Sequence, residues 1–449
     1  MLFDCRNISL LITCSLLNLF NFLICTYAKN KYEVMMTSQK KSSLSGKENG
    51  ARVSKHYRVI FALAISGLAE LASLFFIQPL LPRLAIEYDV AVNNVSIILS
   101  AETALLAIGL LFTGTLSDRF GRKRLIIISL FTGGVLTLLC PLVESWALLV
   151  MLRAVIGLTL SGIAAAATAY ISEEVAPVVA GVVTGYFVFG NSIGGMSGRV
   201  LASQLIEYVS IDVIFYGFAV LLMLVSLMVY FVLPESKKFQ ASTSINFSKV
   251  IKEGRQHFKN KKLALMFVIS FIIFGVFTSL YNYLAFFLAK EPFNVSHAQA
   301  GLISFSFALS FFTAPQAGRL SAKFGGMKVL MALFLMMIVG MLLTLTQSTT
   351  IFILGAVIFT GCFFGCHSIG LSWVSKNATH SRGQATGLYL FFYYMGGSVI
   401  GYCNGQVFAT FGWAGMTGFI IALLGGGIIV ANYLGAIGSI KLVPASHNE

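Results

Sequence analysis

Twelve apolar runs, each about as long as a bilayer is thick, dominate the sequence from residue 58 onward. Lipid offers the backbone no hydrogen bonds, so runs of about 20 apolar residues must span it as helices, not as the short alternating strands of a barrel. Only 11% of residues are charged and 57% are hydrophobic, which is too little charge to cover a soluble protein. We therefore predict an all-α membrane protein with twelve transmembrane helices, at about 58–81, 94–116, 125–143, 147–171, 178–206, 212–233, 263–288, 299–320, 327–346, 350–373, 384–410 and 414–437.

The basic residues indicate which helix ends face the cytoplasm. With the stretch before helix 1 placed inside, 26 of the 31 Lys and Arg residues fall in cytoplasmic segments, and only Arg83 and Lys290 lie outside. This asymmetry is what the positive-inside rule expects. It predicts a multi-pass membrane protein with both termini cytoplasmic. The excess positive charge then faces lipid headgroups, and no nucleic-acid partner is expected.

The two halves of the chain resemble each other. The stretch Gly114–Gly121 aligns with Gly318–Gly325, and five further residues recur 202 positions later. These are Gly181, Thr184, Gly185, Gly194 and Gly195, which fall on Gly383, Thr386, Gly387, Gly396 and Gly397. Parallel repeats imply two pseudo-symmetric six-helix bundles around a central cavity. We predict an N-terminal bundle at 58–234, a basic cytoplasmic linker at 235–262, a C-terminal bundle at 263–438 and a cytoplasmic tail at 439–449.

The N-terminal 57 residues are predicted to be a leader followed by a basic cytoplasmic tail. Ser9–Ala28 is an uncharged apolar run that could form a thirteenth helix or a signal peptide. A cleaved signal would place the basic stretch 29–58 outside, against the charge count. We interpret residues 1–34 as a misassigned or dispensable leader, with Met35 or Met36 as the true start of the protein.

The loop between helices 2 and 3 carries the most specific motif, Gly114-Thr-Leu-Ser-Asp118-Arg119-Phe-Gly121-Arg122-Lys-Arg. Gly114 would permit close helix approach and Gly121 a tight turn, while Asp118 can accept from arginines or cap a helix. This loop resembles the signature loop of the major facilitator superfamily. Stretches beginning at Gln78, Tyr170, Gly190 and Gly387 resemble its bacterial acriflavine-sensitivity type, which are exporters related to proton antiporters.

The resemblance implies roles for individual residues. Gly114, Asp118, Arg119, Gly121 and Arg122 would form a conformational switch, with Glu173 or Glu174 as the acidic partner of a charge relay. Arg153 matches an intramembrane arginine linked to proton transfer. Gly190, Asn191, Gly194 and Gly195 resemble the antiporter motif of helix 5, but Asn191 stands where that motif has proline, which weakens the inference of export.

Charged residues inside predicted spans are candidates independently of any family, because each costs roughly 2.5–3.5 kcal/mol on insertion scales. Away from the first and last two residues of each span, they are Glu70, Glu102, Arg153 and Arg199. Ser66, Glu70 and Ser73 share one face of helix 1. Glu70, Glu102 and Arg153 are expected to line the cavity and to serve proton coupling or substrate binding. The alternative is a fixed Glu–Arg pair that locks helices together, and Arg199 lies near the outer end, where it can snorkel to the surface.

His367 is the one histidine within a predicted span. Its side chain suits proton relay or substrate contact, and a buried hydrogen-bonding role is the equal alternative. Cys362 and Cys366 share its helix, but with no further ligand nearby we expect packing and no metal. The tyrosines and phenylalanines of helices 7 and 11 are expected mostly to pack, although they could line a pocket for planar molecules.

No phosphate-cradling Gly-Lys-Ser/Thr loop occurs in the sequence, which argues against ATP as the energy source. We therefore expect a monomeric, proton-coupled secondary transporter that exports small organic solutes by antiport, with no cofactor and no enzymatic activity. Proton-coupled uptake of a sugar or other metabolite is the alternative within the class. A passive channel or membrane sensor is the alternative of another class.

Overall fold

The computed structural model describes residues 46–236, 254–378 and 380–439. The chain divides into a first unit, Met1–Tyr57, and a second unit, Arg58–Glu449. Only 46–57 of the first unit are described, and they are helical. The predicted leader at 1–34, most of the linker at 235–262 and the tail from residue 440 lie outside the described residues.

All regular structure in the described residues is helical, with no strand. We label the long helices in chain order: α1 Gly46–Phe75, α2 Ile97–Phe120, α3 Arg122–Leu139, α4 Trp146–Glu174, α5 Pro177–Leu205, α6 Ile211–Val232, α7 Lys261–Leu288, α8 Ser310–Phe324, α9 Gly326–Leu343 and α10 Thr349–Asn377. The last helix, Arg382–Ser439, is broken at Gly412, and we call its two parts α11 and α12. Eleven helices in the described residues are long and apolar enough to cross a membrane. Counting α11 and α12 separately gives the twelve spans that the sequence predicts.

Local sequence explains where several helices begin and end. Gly121 ends α2 with φ 93°, a left-handed conformation that glycine adopts without strain. Gly325 repeats this turn between α8 and α9 with φ 92°. Gly412 breaks the last helix with φ 65° and ψ −161°. Pro177 stands in the first turn of α5, where its missing N–H costs nothing.

Two predicted spans are less regular than the sequence suggests. After α1 the chain continues as a 3-10 turn, Gln78–Leu80, and a short helix, Leu81–Glu87. The eighth span begins as His297–Leu302 and passes through a 3-10 segment, Ile303–Leu309, before α8. Tightened 3-10 turns of this kind often mark functional positions in a helix. Both irregular segments lie near the same side chain, Arg199, described below.

Glycines bring α1 and α5 into direct backbone contact. A Cβ on Gly190, Gly194 or Gly198 would fall against the backbone carbonyl of Ala64, Leu68 or Ala72, respectively. The second half of the chain repeats this feature, because a Cβ on Gly396 of α11 would fall against the carbonyl of Phe271 in α7. Small residues at such positions permit close packing between membrane helices. The matched glycines of the repeat thus pack equivalent helix pairs.

The first six spans meet the last six at one end of the molecule, which we call the Asn93 end. There the Asn93 side chain donates to Gln406 Oε1 (2.8 Å). The Tyr283 hydroxyl donates to Ser96 Oγ (2.7 Å), and Gln204 donates to the carbonyl of Ala298 (2.7 Å). We call the opposite end, where α2 turns into α3, the Asp118 end.

Candidate functional site

The loop at the Asp118 end forms a compact charge cluster around Arg122. Its Nη2 lies 2.6 Å from Asp118 Oδ1 and 2.6 Å from Glu173 Oε1, and its Nε donates to Glu173 Oε2 (3.0 Å). Nη1 donates to Ser117 Oγ (3.1 Å). Arg122 is buried, whereas the Asp118 side chain is 52% exposed. The loop therefore ties α2, α3 and α4 together through one guanidinium, and Glu173 is one of its acidic partners.

Other members of the predicted switch differ in position. Arg119 is exposed and lies over the ring of its neighbour Phe120 (5.8 Å). Gly114 was expected to permit close helix approach, but a Cβ there would meet no atom within 4 Å. That expectation is wrong for this conformation, because no described residue packs against Gly114. The side chain of Glu174, the alternative partner, is half-buried beside Glu173.

Glu102 and Arg153 form a fully buried ion pair in the first six spans. Arg153 Nη2 lies 2.5 Å from Glu102 Oε2, and neither side chain has any exposed surface. The same Nη2 donates to the carbonyls of Ser73 (3.1 Å) and Leu74 (3.3 Å) on α1. The pair therefore joins α1, α2 and α4, as the fixed-pair alternative from the sequence anticipates.

Glu70 is placed differently. Its side chain on α1 is 2% exposed, its Oε2 has no hydrogen-bond partner, and no ion pair among the described residues includes it. It lies close enough to Tyr394 on α11 for an electrostatic interaction. Ser66 and Ser73, on the same face of α1, are fully buried. Glu70 is thus a buried carboxyl group where a helix of the first six spans faces one of the last six.

His367 on α10 approaches the same region from the other side. Its Nδ1 lies 3.3 Å from the Tyr389 hydroxyl, and its ring centroid lies 4.5 Å from that of Tyr393. Tyr393 and Tyr394 pack edge to face at 5.2 Å. Glu70 and His367 are therefore linked through two tyrosines rather than by contact. Nearby Cys366 is buried, and no group of three His, Cys, Asp or Glu side chains in the described ranges could hold a metal.

The glycine motif of α5 lies along α1. Gly190 and Gly194 make the close contacts described above, and the Gly195 carbonyl accepts from Arg199 (2.6 Å). Asn191 Oδ1 is buried, has no hydrogen-bond partner among the described residues and lies beside Gly67. Because asparagine stands in place of proline, α5 runs unbroken through the motif.

The expectation that Arg199 snorkels to the surface is wrong. The side chain is 2% exposed, and its guanidinium carbon lies 4.2 Å from the centroid of Phe75 and 4.8 Å from that of Phe307. Nε donates to Gln78 Oε1 (2.6 Å). Its position in the sequence suggested a residue near the membrane surface. The irregular segments that carry Gln78 and Phe307 cover the guanidinium. This cover could not be predicted, because the sequence analysis treated both spans as ideal helices.

Known proteins share this arrangement of helices. A sequence model of the Major Facilitator Superfamily matches residues 63–402. The chain is a member of the Major Facilitator Superfamily. It is 38% identical over 370 residues to an uncharacterized transporter of Buchnera aphidicola subsp. Schizaphis graminum, covering 82% of this chain and 89% of that protein. It is 37% identical over 367 residues to the inner membrane transport protein YnfM of Escherichia coli (strain K12), covering 82% of this chain and 88% of that protein.

The superfamily fold is also shown by solved structures. The crystal structure of the nucleoside transporter NupG superposes with a TM-score of 0.66 at 16% identity, covering 85% of this chain and all of that one. At that identity the likeness concerns the fold. As a member of the superfamily with relatives named as transporters, the chain is a multi-pass membrane transporter.

Proposed function

We propose that this transporter is proton-coupled and moves small organic solutes across the bacterial inner membrane by alternating access. The observation that carries the proposal is Glu70, a buried carboxyl group at the boundary between the two sets of spans, whose Oε2 has no hydrogen-bond partner and which joins no ion pair within the described residues. A carboxyl group withdrawn from water and from cations favours its neutral form, so it gains by holding a proton. When water reaches it from the other side of the membrane, it can release that proton.

In this proposal Glu102 and Arg153 have a supporting role. Each already neutralises the other, and no exposed surface connects the pair to water. Arg153 anchors the end of α1 through the Ser73 and Leu74 carbonyls, about one turn from Glu70. The pair fixes the position of the proton-binding helix, while Glu70 carries the proton and His367 contacts solute or relays the proton.

Alternating access is supported by the difference between the two ends. At the Asn93 end, hydrogen bonds join the first six spans to the last six. Toward the Asp118 end, a Cβ on Gly181 or Gly185 of α5, or on Gly383 or Gly387 of α11, would meet no atom of the described residues within 4 Å. We propose that the bundles 58–234 and 263–438 rock about Glu70, and that the cluster around Arg122 slows or permits this movement.

The distribution of basic residues supports one orientation of the protein in the membrane. The Asp118 end carries Arg119, Lys123, Arg319 and Lys323, whereas the Asn93 end has few basic residues. On the positive-inside rule we propose that the Asp118 end and both termini face the cytoplasm. The conformation described would then be open toward the cytoplasm. We propose a monomer as the working unit, since one chain supplies both bundles.

For the direction of transport, our first proposal is export by antiport. It is supported by the glycine motif of α5 and by its close packing against α1. Proton-coupled uptake is the second candidate. It is favoured by Asn191, which leaves α5 without the proline bend that accompanies the motif in antiporters.

The proposal is tested with purified protein in liposomes that contain a pH-sensitive dye. Solutes are added from a panel, and solute-driven proton movement is recorded for wild type, Glu70→Gln and Glu87→Gln. Glu87 is an exposed acid on the segment after α1 and serves as the matched control. We expect coupled proton movement for wild type and Glu87→Gln but none for Glu70→Gln, which still exchanges labelled solute.

Two results would overturn the proposal. Undiminished proton movement with Glu70→Gln would remove Glu70 from the mechanism. Solute flux that ignores the proton gradient in wild type would favour a passive channel. Direction is read in inverted membrane vesicles energised by respiration, where an exporter accumulates solute in the lumen and an uptake system does not.

A further inference from the structure

We propose that Arg199 binds a carboxylate of the transported solute, so that the substrate is a small organic anion. This inference rests on the proposed transport function, because it names the substrate class of the same protein. Its supporting observation is which buried arginines have an acidic partner, and it does not depend on Glu70.

Arg199 differs from the other buried arginines of the described residues in having no acid. Arg122 pairs with Asp118 and Glu173, and Arg153 pairs with Glu102. No ion pair in the described part of the chain includes Arg199, which is only 2% exposed. A buried cation without a counter-charge carries a penalty of several kcal/mol, so the site gains strongly from an anion.

The hydrogen bonds of Arg199 leave one edge of the guanidinium available. Nε donates to Gln78 Oε1 and Nη1 donates to the Gly195 carbonyl, both at 2.6 Å. Nη2 is buried and has no hydrogen-bond partner in the part of the chain that the structure describes. Gln78 is held from its other end, because its Nε2 donates to Asn282 Oδ1 (2.6 Å). A planar guanidinium fixed on two sides presents its remaining N–H groups to the two oxygens of a carboxylate.

The surroundings of Arg199 belong to both sets of spans. Phe75 comes from the first six, whereas Tyr281 and Phe307 come from the last six, with ring centroids 4.2, 5.6 and 4.8 Å from the guanidinium carbon. Aromatic faces stabilise a cation only partly, by about 0.5–2 kcal/mol each. When the two sets separate at the Asn93 end, Tyr281 and Phe307 move away together. The guanidinium then loses two of its three rings and becomes accessible.

A small pocket lies beside Arg199. Arg199, Gln78, Tyr281, His297 and Ser304 are among the residues that line it. Its lining offers a cation, an amide and hydroxyl groups, and it contains no Asp or Glu side chain. This combination suits a carboxylate with a short organic body and disfavours an ammonium group. A phosphate group, with up to two negative charges, would call for a second fixed cation that the lining lacks.

The test measures binding in detergent, with no membrane gradient. Ligand-induced thermal stabilisation is recorded for wild type, Arg199→Gln, Arg199→Lys and Arg83→Gln. Arg83 is an exposed cation of the segment after α1 and serves as the matched control. The probes are acetate, succinate, benzoate and phenylacetate, each with its amide and the corresponding amine, and inorganic phosphate. Removing Arg199 strands no acid, so Arg199→Gln is expected to fold, which circular dichroism and gel filtration check.

We expect at least one carboxylate, but not its amide or amine, to stabilise wild type and Arg83→Gln. Its affinity should fall roughly 30-fold or more in Arg199→Gln, since truncating one partner of a buried charge pair costs at least about 2 kcal/mol. Arg199→Lys keeps the charge and should retain weaker binding. A merely structural Arg199 would alter the melting temperature without changing the preference for carboxylates.

The inference is overturned if no carboxylate stabilises wild type, if amides, amines or phosphate do so instead, or if Arg199→Gln binds carboxylates as wild type does. These outcomes are separate from failure of the proposed function. Proton coupling can be absent while carboxylate binding depends on Arg199. Conversely, neutral solutes can move with protons through Glu70 while carboxylates do not bind.

Discussion

Breaking the buried pair between Glu102 and Arg153 should cost far more stability than removing it. Arg153→Met leaves the Glu102 carboxylate with no exposed surface and no cation, and removing one partner of a buried pair typically costs about 3–5 kcal/mol. Glu102→Gln strands the guanidinium in the same way. In the double variant Glu102→Gln/Arg153→Met no charge remains. What is lost is chiefly the donation to the Ser73 and Leu74 carbonyls, at about 1 kcal/mol each.

The expected pattern is therefore two costly single variants and a double variant within about 2 kcal/mol of wild type. The free energy of unfolding is measured in mixed micelles by titrating dodecyl maltoside micelles with sodium dodecyl sulfate and following circular dichroism. Glu87→Gln/Arg83→Met, on the exposed segment after α1, is the control and should stay within about 0.5 kcal/mol. Single variants that cost less than about 1 kcal/mol, or a double variant equal to the sum of both, would refute the reasoning.

The same variants distinguish a purely structural role of the Glu102–Arg153 pair from a role in proton transfer. If the pair only positions α1, the double variant keeps proton-coupled transport, because Glu70 is still present. Loss of coupling in a stable double variant would instead assign proton transfer to Glu102.

Two further predictions concern the switch and the helix packing. Asp118→Asn removes one of the two acids that pair with Arg122 and leaves Glu173. It should slow solute turnover severalfold while the Kd for solute stays constant. A loss of solute binding as large as the loss of turnover would indicate misfolding instead. Gly194→Leu should destabilise the protein by about 1–3 kcal/mol or more, because its Cβ would fall on the Leu68 carbonyl. Gly418→Leu, where a Cβ meets nothing within 4 Å, is the matched control, and equal melting temperatures for the two variants would contradict the packing argument.

The sequence was sufficient to predict the twelve spans and, with the help of the family resemblance, the charge cluster at the Asp118 end. Apolar runs are long and continuous, so hydropathy alone delimits them, and the break between α11 and α12 falls at Gly412 between the predicted helices. The pairing of Arg122 with Glu173 could be anticipated only through the family resemblance, because these residues are 51 positions apart. Position in an ideal helix, however, says little about side-chain surroundings.

Arg199 shows where such reasoning fails. Counting residues along α5 places it near the end of a span, and a long side chain there usually reaches the surface. The chain instead folds two irregular segments, Gln78–Leu80 and Ile303–Leu309, over the guanidinium. Breaks of this kind depend on tertiary contacts between distant helices, which neither periodicity nor composition records. The sequence signal that could have indicated the burial of Arg199 is the Gln78-Pro79 pair, which interrupts the first span and supplies the amide that accepts from Arg199.

Glu70 and Arg199 are best understood together. Gly194 packs against Leu68 and Gly198 against Ala72, so the two residues lie on adjacent, closely packed helices, and yet no ion pair among the described residues joins them. A pair would have cancelled both charges, as Glu102 and Arg153 do. Kept apart, the carboxyl group gains by taking a proton and the guanidinium gains by taking an anion. Both also face aromatic residues of the last six spans, Tyr394 for Glu70 and Tyr281 for Arg199. One relative movement of the two sets therefore changes the surroundings of both groups at once, which is the physical requirement for coupling proton binding to solute binding.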